Sequence, residues 1–228
     1  MLNQSQIQFL ANKAQLDVYT HDGIITGVNN RQHRSASIWC PYEEFKNGLG
    51  REDIRFHWLL SDKTYLAGGS CLNWVWGENK NEDYDLFFTN ADTLENVYRW
   101  IVNFGFEETL NTRYARTMFN REAKVAIQLV GNKNVEHWGD VGEELRFISF
   151  DHPAKTIGRF DLDVCKFAVD VSAVYFTVGA VLDLLNLTIN AKVVKNSTHD
   201  RILKYNRKGF YIPKIEEVME NATRNEWF

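Results

Sequence analysis

The sequence predicts an α+β fold, with a small mixed β-sheet flanked by helices and a helical C-terminal segment. The chain has 228 residues, 44% of them hydrophobic and 14% aromatic, which is enough for a sizeable core. Short apolar segments with two-residue alternation also interleave with segments of helical periodicity. With only three prolines and no repeat or low-complexity block, we expect one domain over 1–228, with its core over about 50–175 and helices over about 176–228.

The N-terminal half contains a helix, an irregular segment and then a strand, a turn and a helix. Residues Gln4 to Lys13 predict a short helix, and the polar, glycine-containing segment after it is typical of a hairpin or a surface loop. A helix is also predicted from Arg51 to Leu60. Next, "TYLAGG" has the pattern of a short buried strand that runs into a turn, and "SCLNWVWG" fits two helical turns that end at Gly77.

The C-terminal half alternates strands and helices. The stretches "DYDLFF", "KVAIQLV" and "RFDLDVCKFAV" are predicted strands. An amphipathic helix is predicted from Thr93 to Asn103, closed by Gly105, and "HPAKTIGR" is a predicted helical turn. Further helices are expected over Ala180–Leu185 and Thr198–Tyr205.

Cysteine content, charge and hydropathy restrict the class of protein. Three widely spaced cysteines fit neither a disulfide framework nor a zinc site, so we expect reduced, buried thiols. Because no stretch is long and apolar enough to span a bilayer and no signal pattern is present, we expect a cytoplasmic protein without membrane contact. The net charge is -4, yet residues 192–214 contain seven basic residues against Asp200 alone. This distribution indicates a local anion site rather than a broad nucleic-acid surface.

A glycine turn precedes two aspartates in the middle of the chain. The sequence "AGGS" contains Gly68, Gly69 and Ser70. With no Cβ, the glycines let backbone N–H groups approach a polyphosphate, the serine adds a hydroxyl, and the following helix directs its positive end at the anion. After twelve further residues come Asp83 and Asp85, which project to one face of a strand. Two carboxylates so close repel each other unless a cation lies between them, and their oxygens suit Mg²⁺.

The same alternation recurs in "FDLDV", where Asp161 and Asp163 share one face of a predicted strand. An isolated D-x-D pattern is usually a half-buried strand with solvated aspartates. Aspartate is disfavoured in strands, however, so two occurrences weaken that interpretation. A second acidic strand edge is therefore expected.

The order of a G-G-S turn, a D-x-D strand and a later carboxylate resembles the nucleotidyltransferase superfamily, which includes DNA polymerase beta, the CCA-adding enzymes and aminoglycoside nucleotidyltransferases. The signature covers roughly residues 65–165. The resemblance implies that Gly68, Gly69 and Ser70 hold the triphosphate of an NTP such as ATP. It also implies that Asp83, Asp85 and a third carboxylate bind two Mg²⁺ or Mn²⁺ ions and are catalytic.

Either Asp161 or Asp163 can be the third metal ligand, because both face the same way in a strand. We favour Asp161, because "FDLDVCKFAVD" looks like an F-D-x-x-x-C-x-F segment of small phage and bacterial nucleotidyltransferases. The later "RILKYNRKGF" resembles an R-x-x-K-Y segment of the same branch.

A basic helix face supports the same interpretation. On a helix, Arg201, Lys204, Tyr205 and Lys208 fall at i, i+3, i+4 and i+7 and form one face with three cations and a hydroxyl. A solvated basic helix is the ordinary explanation for such a pattern. Beside an expected triphosphate site, we instead expect this face to bind the β- and γ-phosphates.

The sequence therefore favours a metal-dependent enzyme that transfers a nucleoside monophosphate from an NTP to a hydroxyl and releases pyrophosphate. The acceptor is left open between an RNA end such as that of tRNA, a protein and a small molecule. Two alternatives remain: a catalytically degenerate nucleotide-binding or interaction module on the same fold, and an unrelated metal-binding or interaction domain.

Overall fold

The computed structural model describes residues 1–30, 32–77, 83–112, 114–131, 150–191 and 196–212. Within these ranges the protein has seven α-helices and ten strands in an α+β arrangement. The helices are α1 Gln4–Lys13, α2 Tyr42–Leu49, α3 Gly69–Trp76, α4 Ala91–Asn103, α5 Pro153–Gly158, α6 Val178–Asn186 and α7 Asn196–Arg207. The strands are β1 Asp17–His21, β2 Ile24–Asn29, β3 Ser37–Pro41, β4 Thr64–Ala67, β5 Asp83–Phe88, β6 Glu107–Asn111, β7 Ala115–Asn120, β8 Val125–Val130, β9 Phe167–Val169 and β10 Ala173–Thr177.

Eight of these strands form one mixed sheet in the order β3-β10-β9-β4-β5-β8-β7-β6. Strands β5 and β8 are parallel, and the other neighbours in this sheet are antiparallel. A parallel pair needs a crossover connection, and α4 lies in the segment that joins β5 to β8. The sheet includes β3, so it begins before the core boundary expected at about residue 50.

The N-terminal elements follow from local sequence. Asn3 accepts a hydrogen bond from the Gln6 backbone while the Gln6 side chain accepts one from Asn3, which is the reciprocal capping box that starts a helix. Strands β1 and β2 then form a separate hairpin. Asp22 and Gly23 have φ angles of 50° and 78° at its turn, as a two-residue turn requires. The helix over Gln4–Lys13 is confirmed, and the open choice between hairpin and loop is decided in favour of a hairpin.

The strand, turn and helix that begin at Thr64 are also confirmed. All four residues of β4 are buried, and α3 ends at Gly77, whose φ of 86° is left-handed. Strand β5 places Tyr84, Leu86 and Phe88 in the main apolar core, as alternation predicts. The opposite face of β5 carries the aspartates, and it is this face that forms the candidate site.

Two predicted elements are wrong. The helix expected from Arg51 to Leu60 is only a 3₁₀ turn over His57–Leu59, and Phe56 before it has a left-handed φ of 69°, which an α-helix cannot include. The strand expected over "RFDLDVCKFAV" begins only at Phe167, because Asp163–Cys165 forms another 3₁₀ turn. Asp161 and Asp163 therefore do not belong to a strand.

The cysteines and the helix lengths in the described ranges can be compared with the expectations from the sequence. Cys40, Cys71 and Cys165 are free and buried, as predicted. None of the helices in these ranges has the length and apolar character that a bilayer-spanning segment needs.

Candidate active site

The glycine turn connects β4 to α3 at one end of the sheet. Gly68 has φ 82° and ψ −141°, a conformation that residues with a Cβ rarely adopt. Its N–H donates to the carbonyl of Phe167 on β9 at 3.0 Å, and its carbonyl accepts from Leu72 at 3.0 Å. The first bond anchors the turn to the neighbouring strand, and the second begins the hydrogen-bond ladder of α3, whose earlier N–H groups lie at the turn. Such groups have no partner within the helix and attract anions.

Asp85 lies beside this turn. A Cβ built on Gly68 would be 4.0 Å from Asp85 Oδ2, which is an ordinary contact distance, so the turn and the carboxylate lie side by side. Burial, with a further contribution from the negative charge of Asp83, raises the pKa of Asp85 to about 6, while Arg201 and Lys204 oppose the rise. Asp83 is exposed on the same strand face. The two carboxylates thus repel each other, and a bound cation would relieve this repulsion.

Asp161 lies between α5 and the 3₁₀ turn over Asp163–Cys165, and it is 3% exposed. Its Oδ1 accepts from Arg201 Nη1 and from the Leu162 backbone at 3.0 Å, and its Oδ2 accepts from Thr198 Oγ1 at 2.8 Å. Both carboxylate oxygens are therefore engaged by donors, and two of those donors come from α7. Asp161 holds α7 against the site.

Asp163 points elsewhere, which corrects the expectation that it shares a face with Asp161. It accepts from Lys166 Nζ at 2.6 Å and from Arg34 Nε at 3.2 Å, and Arg34 also pairs with Asp183. Asp163, Lys166 and Asp183 are each 1% exposed or less. The physical reason is the 3₁₀ turn, which rotates Asp163 away from the direction that two-residue alternation would give. Asp163 belongs to a buried ion network that links the 3₁₀ turn to Asp183 on α6 through Arg34.

Helix α7 presents its basic face to the site. Arg201, Lys204 and Tyr205 line the same cavity as Asp85 and Asp161, whereas Lys208 donates to Asn73 on α3 at 2.8 Å. The Tyr205 hydroxyl and the Arg201 guanidinium both lie near the Cys165 thiol and influence its pKa. The F-D-x-x-x-C-x-F and R-x-x-K-Y segments thus meet through Asp161 with Arg201 and through Cys165 with Tyr205.

These groups surround a cavity of about 440 Å³, a size ordinary for small-molecule sites. Described residues on its wall include Ala67, Gly68, Gly69, Asp85, Phe87, Leu110, Thr112, Tyr114, Ala115, Thr117, Gln128, Val130, Arg159, Phe160, Asp161, Arg201, Lys204 and Tyr205. That set contains both glycines of the turn but not Ser70 or Asp83. Ser70 is 5% exposed, and Asp83 is the exposed first residue of β5.

The carboxylates of the site fit the expected metal ions only in part. The Asp83 and Asp85 pair fits one divalent ion, because two carboxylates on one strand face supply oxygen ligands and their repulsion is relieved by a cation. Asp161 fits less well as a third ligand, because Arg201, Leu162 and Thr198 already use its oxygens. Among the residues that the structure describes, no group of three His, Cys, Asp or Glu side chains is placed to share an ion.

Several residues of the site were not found from the sequence. Leu110, Thr112, Thr117 and Gln128 come from the β6–β7–β8 end of the sheet, and no motif marks them. Gln128 could have been found once β5 and β8 were paired, because it lies opposite Asp85 in register. Thr198 carries no sequence signal, since its contact with Asp161 spans 37 residues.

Solved structures of CCA-adding enzymes share this fold. The complex of a CCA-adding enzyme with ATP is 16% identical with a TM-score of 0.56, and the match covers 82% of this chain and 46% of that one. The complex with CTP is 17% identical, with a TM-score of 0.54 and coverage of 82% and 47%. The Thermotoga maritima enzyme complexed with tRNA is 15% identical, with a TM-score of 0.54 and coverage of 82% and 46%. The chain spans about half the length of these proteins, and the likeness shows a nucleotidyltransferase-type fold.

No curated protein matches the sequence significantly. A family profile does match, over residues 41–186, and this range includes the glycine turn, β5 with its two aspartates, and Asp161. Because the match extends over more than half of the 228 residues, the chain belongs to the Gabija anti-defense 2 family.

Proposed function

We propose that the protein transfers a nucleoside monophosphate from an NTP to a hydroxyl acceptor and releases pyrophosphate. The observation that supports this most directly is one cavity that unites the glycine turn, Asp85 and the cations of α7. Each of these groups would serve a triphosphate differently. The turn would supply backbone donors, Asp85 a metal ligand, and α7 positive charge. The nucleotidyltransferase-type fold, shared with a CCA-adding enzyme that was solved with ATP, supports the same proposal.

The triphosphate would bind between the turn and α7. N–H groups at the start of α3 face this space, and the helix dipole favours negative charge there. Lys204 is exposed on the opposite wall, and no ion pair ties it to another described residue. Its ammonium is therefore available to the β- and γ-phosphates, while Arg201 lies closer to Asp85 and Asp161. Charge-assisted bonds of this kind are the stronger class of hydrogen bond.

Asp83 and Asp85 would hold Mg²⁺ or Mn²⁺. When bound, the ion would neutralise phosphate charge and lower the pKa of the acceptor hydroxyl. The residues of the chain position the acceptor oxygen in line with the α-phosphorus. A bond forms between these two atoms, the bond to the pyrophosphate oxygen breaks, and the hydroxyl proton passes to solvent. Positioning and charge neutralisation supply most of the acceleration in such reactions.

RNA is one acceptor that the neighbours suggest, since solved CCA-adding enzymes are complexed with tRNA. The family name connects the chain with defence by Gabija, so Gabija proteins and their nucleic acids are further acceptors to test. The protein carries a net charge of -4, which disfavours long duplexes, whereas a short RNA end could lie along the basic α7.

The test is to incubate the full chain with each α-³²P-labelled NTP, Mg²⁺ and, in separate arms, RNA, Gabija proteins and a small-molecule extract. Transfer of label together with equimolar pyrophosphate is the expected result in one arm. Asp85→Asn serves as the control, because asparagine keeps the shape and removes the charge. Label that appears equally with this variant, or in no arm, contradicts the proposal.

A nucleotide-binding protein without turnover is the second candidate, and the engagement of Asp161 by Arg201 favours it. In that case NTP would bind in the same cavity, but no pyrophosphate would form in any arm. Equilibrium binding of NTP, measured beside the transfer reaction, separates the two candidates.

A further inference from the structure

The ion pair between Arg201 and Asp161 has an arrangement that the three-carboxylate metal site does not explain. Asp161 accepts three hydrogen bonds, from Arg201, Thr198 and the Leu162 backbone. Its side chain is 2% exposed, whereas that of Arg201 is 38% exposed. The Asp161 carboxylate is thus enclosed, and the Arg201 guanidinium beside it is the more exposed group of the pair.

The remaining N–H donors of Arg201 allow this pair to bind an anion. A guanidinium has five N–H groups in a fixed planar fork, and Asp161 takes a bond from Nη1. The Cys165 thiol lies near the same guanidinium. Donors that remain on the exposed part can reach an anion in the cavity, where Arg201 lies on the same wall as Asp85. The bond to Asp161 fixes the fork, so less side-chain entropy is lost when it binds a phosphate.

We infer that Arg201, anchored by Asp161, supplies the positive charge of a second metal ion, so that the site works with a single divalent ion held by Asp83 and Asp85. This inference rests on the proposed function. Asp161 is then a positioning residue for Arg201 rather than a metal ligand. Arg201 is the group that contacts the substrate, at the phosphate oxygens nearest Asp85.

Breaking the Arg201–Asp161 pair would cost free energy. This argues against replacement of Arg201 by a metal ion. Asp161 is nearly inaccessible, and removing one partner of a buried pair leaves an uncompensated charge. A second ion would have to displace three donors that are already in place. Thr198 and Arg201 both lie on α7, so displacement would also detach this helix from the cavity wall.

The experiment counts metal ions rather than turnover. The full chain is titrated with Mn²⁺ in the presence of an α,β-methylene nucleoside triphosphate, which cannot be cleaved at the reacting bond, and is followed by EPR and equilibrium dialysis. We expect one Mn²⁺ per chain without spin coupling, and the same count for Asp161→Asn. In a two-ion site the ions lie about 3.5–4 Å apart and couple magnetically. A coupled pair in the wild type, reduced to one ion in Asp161→Asn, overturns the inference but leaves the proposed function standing.

Triphosphate affinity supplies an independent readout. Arg201→Met and Asp161→Asn are each expected to weaken the analogue roughly tenfold or more, and the double variant by the same factor as either alone, because Asp161 acts only through Arg201. Arg201→Lys keeps a charge but loses the fork, and we expect it to recover little. Additive losses in the double variant contradict the inference. Absence of any Mn²⁺ binding overturns both this inference and the proposed function. Thr198→Val, which removes one bond to Asp161 and no charge, is the control for folding.

Discussion

The hydroxyl of Tyr205 lies 2.9 Å from the position that a Cβ on Gly69 would occupy. Tyr205 is 3% exposed, and its ring packs edge-on against Phe210 with centroids 6.1 Å apart. Its hydroxyl also lies near the buried Cys165 thiol. The tyrosine therefore cannot move aside freely, and Gly69 is the residue that lets α7 approach the turn.

Gly69→Ala is expected to displace Tyr205 and weaken NTP binding roughly tenfold, because overpacking of this kind costs on the order of 1–3 kcal/mol. Fluorescence titration with NTP and Mg²⁺ measures the effect. Gly158→Ala is the matched control, since a Cβ there has no neighbour within 4 Å. Adding Tyr205→Phe to Gly69→Ala removes the clashing oxygen and is expected to recover part of the affinity. Normal binding by Gly69→Ala would show that the turn does not need this close approach.

The aspartate pair predicts a separation of activity from stability. Asp83→Asn and Asp85→Asn are each expected to abolish transfer, because each removes a charge that would hold the metal ion. The fold should be retained, and the stability of the metal-free protein should stay level or rise, because the two carboxylates repel each other. Transfer assays beside thermal unfolding in EDTA test both parts. Wild-type turnover by either variant would show that these aspartates are not the metal ligands.

The raised pKa of Asp85 gives a pH dependence of unfolding in EDTA. The unfolded-state value is close to the ordinary 3.8 and the folded-state value is about 6. The carboxyl thus binds its proton more tightly in the folded protein. The favourable contribution is complete below pH 4 and is lost as the pH rises through 6. Its size is on the order of 3 kcal/mol. We expect the free energy of unfolding, measured with urea at pH 4, 5, 6 and 7, to decline with pH, and the decline to be smaller in Asp85→Asn by this amount. Equal declines in the two proteins would contradict the raised pKa of Asp85.

Strong local signals explain why the centre of the site could be predicted. Gly68 and Gly77 occupy left-handed positions at the two ends of α3, and the alternation of β5 puts its aspartates opposite the core. Backbone requirements of this kind act within a few residues and leave a pattern in the sequence.

Elements without such a pattern were missed. Every residue of β6 is exposed, so this strand has no apolar face to reveal it, and β3 pairs with β10 across more than 130 residues. The 3₁₀ turn over Asp163–Cys165 interrupts an alternation that is complete in the sequence. Its cause is tertiary, because Asp163 pairs with Arg34 from a distant part of the chain.

Asp163 is expected to matter for stability rather than for chemistry. Asp163→Asn leaves Lys166 buried without its partner at 2.6 Å, and loss of one side of a buried pair costs about 3–5 kcal/mol. Asp53→Asn is the control, because its partner Lys46 lies at 2.8 Å but the Asp53 side chain is 54% exposed, and surface pairs contribute about 1 kcal/mol or less. Urea unfolding should separate the two variants, and transfer by the folded fraction of Asp163→Asn should fall less than that of Asp161→Asn. The reverse ranking would show that Asp163, and not Asp161, supports the transfer reaction.

Lys204 provides the sharpest test of where the triphosphate binds. It is exposed on the cavity wall formed by α7, and a charge-assisted bond to a phosphate oxygen contributes on the order of 1.5–3 kcal/mol. Lys204→Ala is therefore expected to weaken NTP binding roughly tenfold or more. A nucleoside monophosphate does not extend to the β- and γ-phosphate positions, so its affinity should barely change.

Arg207→Ala is the matched control for Lys204→Ala. Arg207 lies one turn further along α7 and is exposed, and it is not among the described residues of the cavity wall. Both variants lose one positive charge from the same helix, so a diffuse electrostatic effect would weaken NTP binding equally in the two. Titration of wild type and both variants with NTP and NMP at fixed Mg²⁺ and salt separates the possibilities. A loss confined to Lys204→Ala and to NTP places the β- and γ-phosphates at α7. Equal weakening of NTP and NMP would mean that Lys204 supports the fold, and unchanged NTP affinity would make it a solvated surface residue.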